Sequence, residues 1–426
     1  MRTIRSAELL TTGSCQPGPA GPRAERARAR LDELARITAE PGRITRLYLT
    51  PEHRRAADLV AGWMRDARMV VREDDAGNVI GRIEGRCAGS PAVLLGSHID
   101  SVIDAGRFDG PLGVVTAIAA VEALAESGER LPFPIEVAAF GDEEGVRFGS
   151  TFLGSKALAG TLEARSLELR DRDGISVAEA LRAYGKHPDR LVARPPSSGR
   201  YRLFLEVHIE QGPVLERKGL PVGVVTAIAG QSRLWVDLTG EAGHAGTVPM
   251  AGRKDALVAA SHAILLVERR CRALGLVGTV GRLDVHPGAS NVIPGRVGFS
   301  VDIRSADDAL RQAAVADVIA GIEALVRRHR VDFEIRVQQE TPAATCAPEL
   351  TRALAGAVAR EGLPVELLVS GAGHDAMALA ASMPVAMLFV RCRGGISHNP
   401  AEHAETADID VAIRVLLRTL RELGPG

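Results

Sequence analysis

A histidine and two acids follow the short apolar run 92–95, and these residue types can bind metal ions or move protons. Gly96-Ser97 ends the run, which is typical of a buried strand, and His98 and Asp100 come at its carboxyl end. Open α/β sheets place their chemistry at that end. Asp109 follows in a Gly-Arg-Phe-Asp-Gly-Pro turn. A lone histidine is more often a hydrogen-bonded loop residue, but the two acids favour a metal site in which Asp100 orients the His98 ring.

Two later apolar runs end in the same way. Ile135–Phe140 is followed by the acids 142–144, and Leu203–Val207 is followed by His208. Consecutive acids on a loop usually form a solvated surface, but here they occupy the position that matches His98. A metal hydrolase needs one carboxylate to hold the ion and another to move protons, and neighbouring glutamates supply both. The three runs therefore predict one sheet edge that carries metal ligands, and His398 follows a further apolar strand, Val385–Val390.

The order of elements between 213 and 338 predicts a second domain inserted into the first. The predicted elements are strand 222–239, helix 253–273, strands 276–285 and 296–304, helix 307–329 and strand 332–338. This order is the split βαβ, ferredoxin-like α+β arrangement, with an antiparallel sheet and both helices on one face. We therefore expect an α/β fold in which 25–213 and 339–426 form a domain with a central mixed sheet and flanking helices, interrupted by 214–338. Residues 1–24, rich in Gly and Pro, are expected to form a loose tail.

Charge and cysteine content limit the possible partners. The chain carries 52 basic and 53 acidic residues, a balance that argues against a nucleic-acid surface or a polyanion partner. No apolar run reaches the roughly 18 residues that a membrane span needs. The five cysteines are scattered without a CxxC pair, which argues against a disulfide framework and a thiolate zinc site. Together these features predict a protein of the reducing cytoplasm.

Eight motifs, in order along residues 25–424, resemble the hydantoinase/carbamoylase group of amidases. They are SHIDSV (97–102), FDGPLGV (108–114), EEGVRF (143–148), HIEQGPVLE (208–216), GHAGTVPM (243–250), NVIPG (291–295), SGAGHDA (370–376) and GISHNPAE (395–402). These amidases are dinuclear metalloenzymes within the larger aminoacylase and carboxypeptidase superfamily, the M20 group. The related peptidases commonly have an acid where this chain has His208, which favours the amidase branch.

The resemblance implies two divalent metal ions per subunit and a role for each ligand. Asp109 would bridge the ions and Glu143 would be the general base that moves the proton of the attacking water, with Asp100 holding His98. The other ligands fall into two sets, His98 and His208 for one ion, and Glu144 and His398 for the other. Histidine and carboxylate ligands suit Mn, Zn, Co or Ni, and the family favours Mn or Zn. The family also implies a cis peptide bond after the bridging aspartate, at Asp109-Gly110.

Five further residues are implied as substrate contacts. Arg304 would anchor the substrate carboxylate in bidentate geometry, with Asn291 and Gln211 assisting. His244 would reach across a homodimer, formed by the inserted lid domain, to polarise the attacked carbonyl of the partner's substrate. His374 would lie at the pocket wall. Taken alone, Arg304 is as well explained by a surface ion pair, and His244, between glycines, by a turn.

The expected reaction is hydrolysis of a ureido group on a small carboxylate. Allantoate is the first expectation, because Arg391 and Arg393 could face its second ureido group, although two solvated arginines explain them equally well. N-carbamoyl-L-amino acids come second and β-ureidopropionate third. Two alternatives stay open: a metallopeptidase of the same superfamily, and a non-catalytic scaffold that keeps the fold. The scaffold hypothesis predicts a missing ligand or base, and every position is filled.

Overall fold

The computed structural model describes residues 20–192 and 199–424. Its helices are α1 (Pro22–Leu34), α2 (Pro51–Asp66), α3 (Pro111–Ser127), α4 (Leu153–Ala159), α5 (Val177–Ala183), α6 (Val214–Lys218), α7 (Ala256–Leu274), α8 (Asp308–His329), α9 (Pro348–Arg360), α10 (Asp375–Leu379) and α11 (Thr406–Glu422). None of these helices is both long and apolar enough to cross a lipid bilayer. The predicted tail falls mostly outside the described residues, and helix α1 already begins at Pro22, inside the stretch expected to be loose.

The strands are β1 (Val70–Glu73), β2 (Val79–Ile83), β3 (Ala92–His98), β4 (Ile135–Phe140), β5 (Tyr201–Ile209), β6 (Val222–Ile228), β7 (Gly230–Thr239), β8 (Gly243–His244), β9 (Val277–Thr279), β10 (Leu283–His286), β11 (Val292–Ile293), β12 (Arg296–Ser305), β13 (Asp332–Thr341), β14 (Ala344–Thr345), β15 (Leu367–Ser370) and β16 (Val385–Val390). The predicted strand 222–239 is divided at Ala229 into β6 and β7. The predicted strand 276–285 is likewise divided into β9 and β10.

The chain forms two compact units. The first contains the described part of Met1–Thr226 together with Cys346–Leu368 and the described part of His374–Gly426, and the second contains Ala227–Thr345 and Val369–Gly373. The first boundary therefore comes later than the predicted 213/214. The reason is strand pairing: β6 runs antiparallel to β16, with Val225 opposite Met387, so this segment stays with the first unit.

A mixed sheet organises the first unit, with strand order β1-β2-β4-β3-β5-β16-β6. The central strands β4, β3, β5 and β16 run parallel, and the flanking pairs are antiparallel. Parallel strands are covered on both faces, and β3, β4 and β16 are accordingly buried along their whole length. This parallel arrangement brings the carboxyl ends of the four central strands to one edge.

Helix α3 lies directly against these strands because Gly113 has no side chain. A Cβ atom at Gly113 would lie 2.1 Å from the carbonyl oxygen of Val207 and 2.8 Å from the Ser97 Cβ. Val93 and Leu95 of β3 and Val114 of α3 belong to the same buried apolar core. The close approach matters for the site, because α3 begins immediately after the Asp109 turn.

The second unit is an antiparallel sheet of order β10-β12-β7-β13, with β9 also paired to β12. Helices α7 and α8 contribute to one core with inward-facing strand residues such as Val236 and Phe299. Because side chains alternate along a strand, the residues between them project to the opposite face. That face carries the polar residues Asp237 and Asp302, which bind several donors each.

Gly113→Ala is expected to lower the denaturation midpoint, because overpacking a close helix–strand contact costs about 1–3 kcal/mol. Gly62→Ala is the matched control, since Gly62 lies inside α2 and a Cβ atom added there would meet nothing within 4 Å. The control should gain up to about 1 kcal/mol from improved helix propensity. Denaturant midpoints of the two variants check this, and a stabilised Gly113→Ala protein would contradict the packing described.

Candidate metal centre and active site

The predicted metal ligands meet at the carboxyl edge of the parallel strands in the first unit. His98 ends β3 and His208 lies near the end of β5. The acids 142–144 follow β4, and His398 lies in the loop after β16. Asp109 occupies the turn before α3. The strand-end pattern therefore brings these side chains together from five separate segments.

The Asp109 carboxylate lies between three histidines. Its Oδ1 atom is 3.1 Å from Nε2 of His208 and 3.5 Å from Nε2 of His98. Its Oδ2 atom is 3.2 Å from Nε2 of His398. One carboxylate oxygen thus faces His98 and His208, and the other faces His398. This is the arrangement that a ligand bridging two metal ions requires.

Among the described residues, three groups of side chains each have ligand atoms that lie within 4.8 Å of one another, so each group could hold a metal ion. Two of them match the predicted sets, and the third adds Glu143; they are His98/Asp109/His208, Asp109/Glu144/His398 and His98/Glu143/Glu144. The donor set of imidazole nitrogens and carboxylate oxygens without a thiolate suits a divalent first-row cation.

His208 provides a test of whether a cation fits. Its Nδ1 atom is 2.9 Å from the carbonyl oxygen of Ile209, and only a protonated Nδ1 can donate to that oxygen. In the neutral ring the buried Nε2 atom then carries a lone pair, has no hydrogen-bond donor, and faces an Asp109 oxygen. Two lone pairs that face each other in a buried site need a proton or a cation between them. Although burial lowers the pKa of His208, the Asp109 carboxylate raises it above its usual value, and a divalent metal ion in place of that proton fits the residues present.

The charge balance of the cluster agrees with this fit. Burial alone would raise the pKa of Asp109, but the three surrounding histidines hold it well below its usual range. Burial raises the pKa of Glu143 well above its usual range, with further contributions from nearby carboxylates. Burial and the Asp109 charge raise the pKa of Glu144 to about 7, and the hydrogen bond with Asp109 raises the pKa of His398 to about 9. The buried acids therefore need protons or cations to be stable here.

Asp100 has a contact that sequence reasoning did not predict. Its carboxylate accepts hydrogen bonds from the backbone N–H groups of Glu143, at 3.2 Å, and Glu144, at 3.3 Å. The His98 Nδ1 atom is 3.1 Å from the Asp100 carbonyl oxygen and 3.6 Å from its carboxylate. The Asp100 carbonyl thus takes the hydrogen bond of His98, while the carboxylate holds the loop of the predicted base.

Glu402 is a buried residue to which the sequence assigned no role. Its Oε1 atom accepts from the backbone N–H groups of Phe108, at 2.7 Å, and Asp109, at 3.1 Å. The Ser397 hydroxyl is 3.0 Å from Glu402 Oε2 and 2.7 Å from Asp109 Oδ2. The Ser397 hydroxyl has one proton and cannot donate to two ionised carboxylates at the same time. In agreement, burial and the Asp109 charge raise the pKa of Glu402 to about 7. The only sequence signal for Glu402 is its position at the end of GISHNPAE.

The residues predicted to bind substrate are divided between the two units. Gln211 and His374 are in the first unit with the ligands. The Gln211 amide donates to Asp109 Oδ2 at 2.8 Å, and the His374 ring lies edge-on to His208 with centroids 4.4 Å apart. The other three residues belong to the second unit; they are His244, Asn291 and Arg304.

His244 and Asn291 are neighbours within the second unit. Strands β8 and β11 pair with His244 opposite Val292, and the N–H of Ala245 donates to the Asn291 carbonyl at 2.9 Å. Both side chains are exposed. The structure therefore presents these two residues on one small surface.

Two expectations from the sequence differ from the structure. Arg391 donates through Nε and Nη2 to buried Asp408 at 2.8 and 2.9 Å, and Arg393 pairs with Glu405, so each guanidinium has an internal partner. The argument for allantoate from these two arginines therefore loses its support. The Asp109-Gly110 peptide bond is trans; among the described residues the cis bond is His286-Pro287.

The comparisons with known proteins agree with the motifs. The model of the family described as peptidase family M20/M25/M40 matches residues 94–422. The N-carbamoyl-L-amino acid amidohydrolase of Geobacillus stearothermophilus is 44% identical over 94% of this chain and 99% of that protein. The allantoate deiminase of Arabidopsis thaliana is 43% identical over 92% of this chain and 81% of that protein.

A solved structure shows the same fold. The crystal structure of a hydantoinase/carbamoylase family amidase from Burkholderia multivorans superposes with a TM-score of 0.88 at 36% identity, over 93% of this chain and 97% of that one. The resemblance predicted from the motifs is confirmed. The chain therefore belongs to the peptidase family M20/M25/M40 and, within it, to the hydantoinase/carbamoylase amidases, hydrolases that act on non-peptide C–N bonds.

Proposed function

We propose that this protein hydrolyses the ureido C–N bond of a small carboxylate with the help of two divalent metal ions, Mn or Zn. The observation that carries the proposal is the Asp109 carboxylate, which presents one oxygen to His98 and His208 and the other to His398. Glu143 lies 3.9 Å from the Nε2 atom of His98. The names of the similar enzymes supply the bond type.

Different residues of the chain have different roles in the proposed reaction. When bound, divalent cations activate water and stabilise negative charge on the attacked carbonyl. Glu143 takes the proton of the attacking water as its oxygen bonds to the ureido carbon. Glu143 then gives that proton to the leaving nitrogen as the C–N bond breaks. Asp100 keeps the Glu143 backbone in place during both transfers.

Arg304 is proposed to bind the substrate carboxylate, with Asn291, Gln211 and His374 assisting. Allantoate is the first candidate substrate, because a cavity of about 460 Å³ beside Arg304 is lined by the polar side chains of Thr279, Ser300 and Gln338, which suit a second ureido group. N-carbamoyl-L-amino acids are the second candidate, favoured by the Geobacillus stearothermophilus relative, which matches this chain over almost its whole length.

We further propose that the second unit acts as a lid and dimerisation domain. His244 and Asn291 are exposed on one surface, where they are available to another subunit. In a homodimer, His244 would polarise the carbonyl in the active site of the partner.

Glu143→Gln is expected to keep its metal ions and lower kcat about a thousandfold, because the proton carrier is lost while the ligands remain. Asp109→Ala is the contrasting variant and should lose metal, since Asp109 contacts all three histidines. Elemental analysis of dialysed protein and steady-state kinetics separate the two effects. Near wild-type turnover of Glu143→Gln would refute the assignment of the base.

Substrate preference can be measured by ammonia release from enzyme that has been chelated and then reloaded with Mn²⁺. The panel is allantoate, an N-carbamoyl-L-amino acid and β-ureidopropionate, with a dipeptide assayed for amine release. We expect the highest kcat/KM for allantoate. A value at least tenfold higher for the N-carbamoyl-L-amino acid would replace allantoate by the second candidate, and activity on the dipeptide alone would remove the ureidohydrolase proposal.

The role of His244 across the dimer predicts complementation between two inactive variants. Glu143→Gln and His244→Ala subunits should each be nearly inactive alone. When they are co-expressed, a mixed dimer contains one site with an intact Glu143 and an intact partner His244, so activity should return. If His244 served its own subunit, the mixed dimer would contain no intact site and would stay inactive. Light scattering on the same samples reports the oligomeric state.

A further inference from the structure

Asp302 is the centre of a hydrogen-bond network on the polar face of the second unit. Its Oδ1 atom accepts from Arg304 Nε at 3.0 Å, and its Oδ2 atom accepts from Arg304 Nη2 at 3.0 Å. Oδ2 also accepts from Gln231 Nε2 at 2.7 Å and from Arg233 Nε at 3.1 Å. The Asp302 carboxylate, which is only partly exposed to solvent, thus accepts four hydrogen bonds through its two oxygens.

The sheet register dictates this network. Arg304 lies opposite Gln231 and Asp302 lies opposite Arg233 in the antiparallel pair of β12 and β7. Residues that are two apart on one strand and directly opposite on the next share a face. Ile303, between Asp302 and Arg304, points instead into the core beneath the helices. The register of two hydrogen-bonded strands therefore places Asp302 beside the Arg304 guanidinium.

The hydrogen bonds that Arg304 already makes leave part of its guanidinium free for a ligand. A guanidinium has five N–H donors. Asp302 uses Nε and one hydrogen of Nη2, and the Gly371 carbonyl accepts one hydrogen of Nη1 at 2.7 Å. With respect to the residues that the structure describes, one N–H on each of Nη1 and Nη2 is left, which is the number that a carboxylate needs for a bidentate contact.

Space for such a ligand lies on the same face. The cavity of about 460 Å³ is lined by Arg304 and Asp302 themselves, and also by Thr279, Ser300 and Gln338. Its volume is within the range of small-molecule sites.

From this geometry we infer that Asp302 is a positioning residue that fixes the Arg304 fork for the carboxylate of the substrate and so determines selectivity for carboxylates. The inference rests on the proposed role of Arg304. Asp302 also supplies a counter-charge, which by itself would weaken carboxylate binding. This opposing effect is screened by solvent at the partly exposed site, so the loss of orientation dominates when Asp302 is replaced.

Asp302→Asn is the first test, because asparagine keeps one acceptor oxygen but turns the other into a donor facing the Arg304 N–H groups. Asp302→Glu is the second, since it keeps the charge and moves the carboxylate by one methylene. Both should raise KM about tenfold for the carboxylate substrate, the loss expected for a charge-assisted hydrogen bond, with kcat within about twofold of wild type. Neither should change KM for the carboxamide analogue of the same substrate.

The matched control is Asp237→Asn. Asp237 is a similar carboxylate on the same face, accepts from Trp235 Nε1 at 3.0 Å and Arg296 Nη2 at 3.1 Å, and does not line the cavity. It should leave the ratio of kcat/KM for carboxylate and carboxamide unchanged. If the Asp302 variants keep the same ratio as Asp237→Asn, Asp302 is structural only and the inference is overturned.

Arg304→Ala distinguishes failure of the inference from failure of the proposed function. It should abolish the preference for the carboxylate over the carboxamide. A preserved preference in Arg304→Ala would remove Arg304 as the anchor, whereas a lost preference in Arg304→Ala together with wild-type behaviour of both Asp302 variants would overturn only the role of Asp302. Melting temperatures and circular dichroism of all four variants confirm that each compared protein is folded.

Discussion

The contact on which the site in the first unit depends is that of the buried Asp109 carboxylate with three histidines. Its two oxygens face different imidazoles, at 3.1 to 3.5 Å, and the histidines come from segments far apart in the chain. A buried carboxylate is tolerated only when it is paired or coordinates a cation. The negative charge of Asp109 therefore disfavours ionisation of the neighbouring acids, and it favours binding of a cation at this edge of the sheet.

Buried carboxylates also hold the loops that carry the site. Asp100 binds the backbone N–H groups of Glu143 and Glu144, and Glu402 binds those of Phe108 and Asp109. In both cases one buried acid fixes the backbone of another acid that is proposed to act on metal or water. A network of this kind limits the movement of the functional groups, which is what precise chemistry requires.

The main strands of the first unit and the position of the site at their ends could be predicted from the sequence. The apolar runs before His98, Glu143 and His208 predict buried strands, and the rule that sheet chemistry lies at the carboxyl ends predicts their convergence. The ligand types exclude a thiolate site and indicate a divalent cation. These features can be predicted because they depend on residue type, short-range periodicity and turn residues, all of which are local properties of the sequence.

Contacts between distant segments were decided only by the tertiary structure. Phe108 and Glu402 are 294 residues apart, and no spacing rule joins them. The sequence left open whether Arg391 faces the substrate, and in the structure its guanidinium is bound to Asp408. The segment of β6 stays with the first unit because it pairs with β16, a strand far along the chain. The sequence by itself determined which residues could do the chemistry and on which strand ends they lie. Packing decided which atoms of those residues face one another, because that depends on the register and approach of elements that local patterns do not encode.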